Sequence, residues 1–119
     1  MRIAMVALLS TVAFAAFALV GCGGSFPPPN DEWAAAQSDV GAANAGGAPS
    51  VPDAKLHLQL SEEDLQKSKA LIDKDNQRAA SLIGVARVEA QLALKLAKAA
   101  QATQQLRDAQ AELQKAKGN

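Results

Sequence analysis

NQRAASLIGVARVEAQLALKLAKAAQATQQLRDAQAELQKAK, Asn76 to Lys117, decides how this chain folds. The stretch has no proline and a single glycine, Gly84, and is dominated by alanine, leucine, glutamine and lysine. These are the strongest helix formers. Val85, Val88, Leu92, Lys95, Ala99, Ala102, Leu106, Ala109, Leu113 and Ala116 alternate at spacings of three and four. That is the seam of a coiled coil, broken only at Lys95. Leu82, Leu96 and Ala100 broaden the stripe. Lys115 and Lys117 suit the negative end of the helix dipole, and Gly118 the left-handed position past it. The pattern predicts one helix over 76–117, about 63 Å long at 1.5 Å per residue.

Working back towards the amino terminus, DKDN (73–76) is a polar break and predicts a turn. Before it, Val51 to Ile72 reads as a second helix. Ser50 and Asp53 have the spacing of a capping box, with Pro52 in the first turn. Ala54, Leu58, Leu65 and Ile72 share a stripe with Ser61 and Ser68 as small fillers, and Leu56 and Leu60 widen it. Glu63 and Lys67 form a favourable i,i+4 pair. A shorter helix is predicted from Asp31 to Ala45, with Asn30 as N-cap. Trp33, Ala36, Val40 and Ala43 lie on one face, and Gly46, Gly47 and Pro49 end it. The fold expected is all-α: a short helix, then an antiparallel αα-hairpin with a long, coiled-coil-like third helix. The second helix can cover only half of the third. The rest of the stripe, with Leu106 and Leu113 in phase, needs a cover: the first helix in part, a second copy, or another protein.

The first 21 residues have a different character. Arg2 precedes an apolar run from Ile3 to Val20, interrupted mildly by Ser10 and Thr11. This is the layout of a secretory signal. The run is also about long enough to span a bilayer, which needs roughly 20 apolar residues. The chain's single cysteine follows at once. Leu19, Val20, Gly21 and Cys22 resemble the bacterial lipobox. The resemblance implies diacylglyceryl transfer to the Cys22 sulfur, cleavage after Gly21 by signal peptidase II, and acylation of the new amino group. One acyl chain holds a protein to a membrane only marginally, whereas two or more hold it durably. Gly23 follows Cys22 rather than aspartate, which by the sorting rule of enteric bacteria implies the periplasmic face of the outer membrane. The expected organisation is a cleaved signal peptide over 1–21, a lipidated cysteine with a Gly/Pro tether over 22–30, and a helical domain over 31–117.

The order of Cys22, the proline-rich tether, PPPNDEWAAAQ, AGGAPSVPDAKLHL and DNQRAASLIGVARVEAQLALKLAKAA resembles the bacterial lipoproteins that carry domain of unknown function 4398. The likeness spans about Ser25 to Lys117. It implies a small helical hairpin tied to the envelope, with no assigned catalytic residues.

Little in the chain suggests chemistry. Twelve basic and twelve acidic side chains balance, which gives no electrostatic grip on nucleic acid. His57 is the only histidine, so no serine has a histidine base in a triad and no second imidazole is present for a metal. Glu62, Glu63 and Asp64 read as a solvated helix face. Asp73 and Asp75 lack the length and glycine of a calcium loop. No catalytic residue, cofactor, metal or small-molecule substrate is expected. The expected partners are the membrane, through the acyl chains, and a second copy or an envelope protein. The residues expected to carry that contact are Val85, Val88, Leu92, Ala99, Leu106 and Leu113. Rival readings are a wall-binding spacer and an accessory subunit of a secretion or transport complex.

Overall fold

The computed structural model describes residues 25–118. Cys22 and the lipobox residues Leu19, Val20 and Gly21 lie outside the described residues. Three helices follow one another: α1 (Asn30–Ala45), α2 (Pro52–Leu71) and α3 (Asn76–Lys117), with a short 3-10 turn at Ala48–Ser50. No strand occurs among the described residues. The all-α hairpin expected from the sequence is the fold, and α3 has the predicted bounds.

What joins the helices is smallness of side chain. On α2 the buried residues are Ala54, Leu58, Ser61, Leu65 and Ser68. On α3 they are Ala79, Ile83, Ala86, Ala90, Ala93 and Ala97. Both sets alternate at four and three, the period of a coiled-coil seam. Alanine and serine recur every seven residues along each, so small side chains meet small side chains. With nothing beyond Cβ at most positions, the two backbones can approach towards the short end of the 8–10 Å range for packed helices. The Ser61 hydroxyl exploits this, donating across the interface to the Ala86 carbonyl at 2.7 Å. The buried Ser68 hydroxyl donates instead to Leu65 O in its own helix. No buried side-chain polar atom among the described residues lacks a partner.

α1 lies in the groove of the hairpin and contributes Ala36 and Ala43, again seven apart. Ala43 and Ala48 pack with Ala54, Leu58, Ala93 and Ala97. Ala36 packs with Leu65, Ile83 and Ala86. Residue numbers therefore rise together along α1 and α3, which run parallel, while α2 runs against both. Trp33 is the only large aromatic anchor here. It is half-buried against this second cluster, its indole N–H donates to Leu65 O at 3.4 Å, and the Lys69 ammonium sits 5.1 Å from its ring centroid. Asp39 accepts from Arg87 Nε at 2.9 Å and from Gln91 Nε2 at 3.3 Å, fixing the rotation of α1 on α3.

Several sequence expectations about helix ends are corrected. α1 starts at Asn30 itself. Pro29 is the N-cap, and its carbonyl accepts the Trp33 amide at 3.0 Å. No capping box forms at α2: the N-cap is Val51, with no side-chain cap. Proline at position 52 drives the preceding residue into extended backbone, φ −115° and ψ 116°, which makes Val51 rather than Ser50 the boundary. Gly118 is right-handed at φ −88°, so no left-handed cap closes α3. Leu56 and Leu60 are exposed rather than part of the α2 core face.

The two connections are tightly made. Gly47 is left-handed, φ 90°. At Gly46 a Cβ would collide with Leu94 Cδ1, so glycine lets this corner lie on α3. The α2–α3 turn at 72–75 falls where the polar DKDN run predicts it. It contains Asp73 at φ 68°, a conformation that aspartate tolerates better than most residues. The Asp73 amide donates to Asn76 Oδ1 at 2.7 Å, and Asp75 caps α3 by accepting the Arg78 amide at 3.1 Å.

Replacing the fully buried Ala86 with leucine forces a branched side chain into the α2–α3 contact beside Ser61. Overpacking of this kind costs about 2 kcal/mol, and thermal melting is expected to fall by roughly 10 °C. Leu106→Ala, far from this contact, is expected to leave the melting temperature of the monomer within about 2 °C, since exposed sites contribute little.

Candidate functional site

Val85, Val88 and Leu92 lie outside the buried core. They are 47%, 65% and 37% exposed. This corrects the expectation that α2 covers the first half of that stripe. The buried row and the Val/Leu row have the same heptad period but are offset by one to two residues, which turns them roughly 150° apart around α3. The hairpin closes on the row of small residues and leaves the row of large ones facing out. Leu82, Leu96 and Ala100 sit half-buried at the margin.

Beyond the bundle the same stripe continues. The last tertiary tie to α3 is Gln101 Nε2, which donates to Gly46 O at 3.0 Å. Every described residue from 101 onward is exposed. About 25 Å of α3 thus projects as a single helix, with Leu106 and Leu113 at 65% and 60% exposure and Ala99 exposed at its base. The six residues expected to carry a contact are therefore all surface residues, on one continuous face of one helix.

The projecting helix is held by its own chemistry. Thr103 Oγ1 donates to Ala99 O, Gln104 Nε2 to Asp108 Oδ1 at 2.9 Å, and Lys115 Nζ to Glu112 Oε1 at 3.3 Å. Each such pair adds only a few tenths of a kcal/mol. The bundle supplies the nucleus that an isolated helix of this length would lack.

The opposite end of the bundle receives the tether. Asn76 Nδ2 donates to Phe26 O at 2.8 Å, tying the incoming chain to the α2–α3 turn, and Pro29 is buried there. The tether and the free end of α3 lie at opposite ends of the molecule.

The polar contacts between helices were not foreseen from the sequence, neither Asp39 with Arg87 nor His57 with Glu89. His57 Nδ1 pairs with Glu89 Oε2 at 2.5 Å, bracing α2 on α3, with both side chains about a quarter exposed. A shallow depression of about 220 Å³ lies between α1 and α2, lined by Trp33, Val40, Glu62 and Lys69 among others. It is smaller than the usual 300–1,000 Å³ of small-molecule sites. Among the described residues, no three histidine, cysteine, aspartate or glutamate side chains gather as a metal site. No helix there is long and apolar enough to cross a membrane.

Apolar contact is what this face offers. Full burial of a leucine or valine side chain contributes about 1.5–3 kcal/mol, so several in phase can hold a partner helix. Comparison of the chain with protein-family models, with curated proteins and with solved structures returned no match.

The double substitution Leu106→Glu and Leu113→Glu tests this face. Circular dichroism of the dilute monomer is expected to remain that of the parent, while cross-linking of the chain to any partner in cells is abolished. Unchanged cross-linking would show that assembly uses another surface.

Proposed function

We propose that this chain is a lipid-anchored protein of the bacterial envelope with a non-enzymatic, structural or adaptor role, exerted through the exposed face of α3. The observation that carries the reading is the polarity of the molecule: tether at one end, apolar-striped free helix at the other. The lipobox-like Leu19–Val20–Gly21–Cys22 and the resemblance to the domain of unknown function 4398 lipoproteins support the anchor. Gly23 supports the periplasmic face of the outer membrane.

Geometry gives the reading a scale. Between Cys22 and Phe26 the chain reaches at most about 14 Å. Acyl chains on Cys22 would keep the α2–α3 turn near the head groups. A third helix of about 63 Å would then carry Leu106 and Leu113 well clear of the membrane. The chemistry would be that of a post: fatty chains fix the base, the bundle stiffens the lower half, and the upper half presents side chains.

Replacing Cys22 with alanine is expected to move the protein from the membrane pellet to the soluble fraction. Mass measurement of the mature parent is expected to give an acylated amino terminus at residue 22. A free thiol at Cys22, or a leader still attached, would overturn the proposal.

A further inference from the structure

We infer that the occupant of the exposed α3 face is a second copy of this chain, paired parallel and in register. The stripe keeps strict seven-residue phase from Val85 to Ala116. A straight helix drifts by about 20° per heptad, so a seam held in phase over this length suits a supercoiled partner of equal length and period. A short groove on a globular partner would need only two turns of it. α1 and α2 are shorter, at 16 and 20 residues, and their buried rows are spent on the bundle; the exposed large apolar side chains of α2 are Leu56 and Leu60, too few for a seam of this length. A second α3 has the required length and phase.

The flanks select the orientation. In a parallel, in-register pair each residue before an Leu or Ala of the first seam position faces the residue five further along in the second copy. Glu112 then meets Lys117 of the second copy, twice by symmetry. Gln105 meets Gln110 and Lys98 meets Thr103, and no like charges oppose one another across these flanks. Glu112 is three-quarters exposed and held only by Lys115, so it is free to reach. Antiparallel pairing over the full stripe would press Lys95 against Leu106 of the other copy at two places. Parallel pairing confines both Lys95 side chains to one layer and leaves the Leu92, Leu106 and Leu113 layers whole. A single charged layer fixes register at a cost in affinity. α1 and α2 pack chiefly on the far side of α3 and reach its flanks only in the lower half, where Gln91 donates to Asp39 and Leu96 lies against the core cluster; from Lys98 onward the flank residues are exposed. Parallel pairing also puts both tethers at one end, which agrees with anchoring in one membrane; only this clause rests on the lipoprotein reading above.

The test uses the full chain expressed in cells. Ala102→Cys and Ala109→Cys place a thiol in the seam, and Ala111→Cys places one on the outward face. After mild oxidation, disulfides are located by peptide mapping. The parallel pair is expected to give 102–102 and 109–109 links at least tenfold faster than 111–111. Equal rates at 109 and 111, or no link at 109, would overturn it. A mixed adduct with another envelope protein at 109 would overturn the second copy yet keep the face as a docking surface. A Cys22–Cys22 link would contradict acylation and leave the 109–109 result to stand separately. Lys95→Leu is expected to tighten self-association at least tenfold in sedimentation of the purified protein; no tightening would contradict the pairing.

Discussion

The close approach of α2 and α3 depends on what their facing side chains lack. Alanine and serine at every seventh position carry nothing past Cβ or one oxygen, and this lets Ser61 reach the Ala86 backbone at 2.7 Å. Alanine buries little area, so the favourable term per residue is small. It also loses no side-chain entropy on burial, and the helix it builds is intrinsically the most stable. Large buried side chains are confined to Leu58, Leu65 and Ile83, with Trp33, Val40, Val51, Leu94 and Leu96 half-buried beside them. The bundle is held by many small contacts, braced at its edges by Asp39 with Arg87 and by His57 with Glu89. These bridges are partly exposed, and each contributes modestly.

Closing the bundle on small residues has a consequence for the large ones. Val85, Val88 and Leu92 are left outside because the row that packs inside is turned away from them, and Leu106 and Leu113 because α3 runs on past the bundle. The fold and the candidate surface are two sides of one helix. Substitutions that seal the bundle and substitutions that alter the outer face fall on different residues and can be separated by experiment.

Helix identity, helix order and the turn at 72–75 were legible in the sequence, because proline, glycine and the polar DKDN run punctuate long stretches of good helix formers. The α2 core face was legible too, through Ala54, Leu58, Ser61, Leu65 and Ser68. The inward face of α3 was not. Two heptad rows run along that helix in parallel, and the rule that larger apolar side chains go inside points to the wrong one. The signal that distinguishes them is complementarity of size: the sevenfold Ala54–Ser61–Ser68 row calls for the Ala79–Ala86–Ala93 row as its mate. The His57–Glu89 pair depends on that rotation, so it was hidden with it. The helix caps were misplaced where proline geometry at Pro29 and Pro52 overrode side-chain capping.

The rotation of α3 is the central claim, and thiol reactivity reads it residue by residue. Ala90→Cys and Val88→Cys are made separately in the full chain, and labelling by a soluble maleimide is followed at high dilution with peptide mapping. Cysteine at 88 is expected to react at least a hundredfold faster than cysteine at 90, as an outward-facing site beside a buried one. Fast labelling at 90 with protection at 88 would contradict the account, because the large side chains would then be the ones that close the bundle.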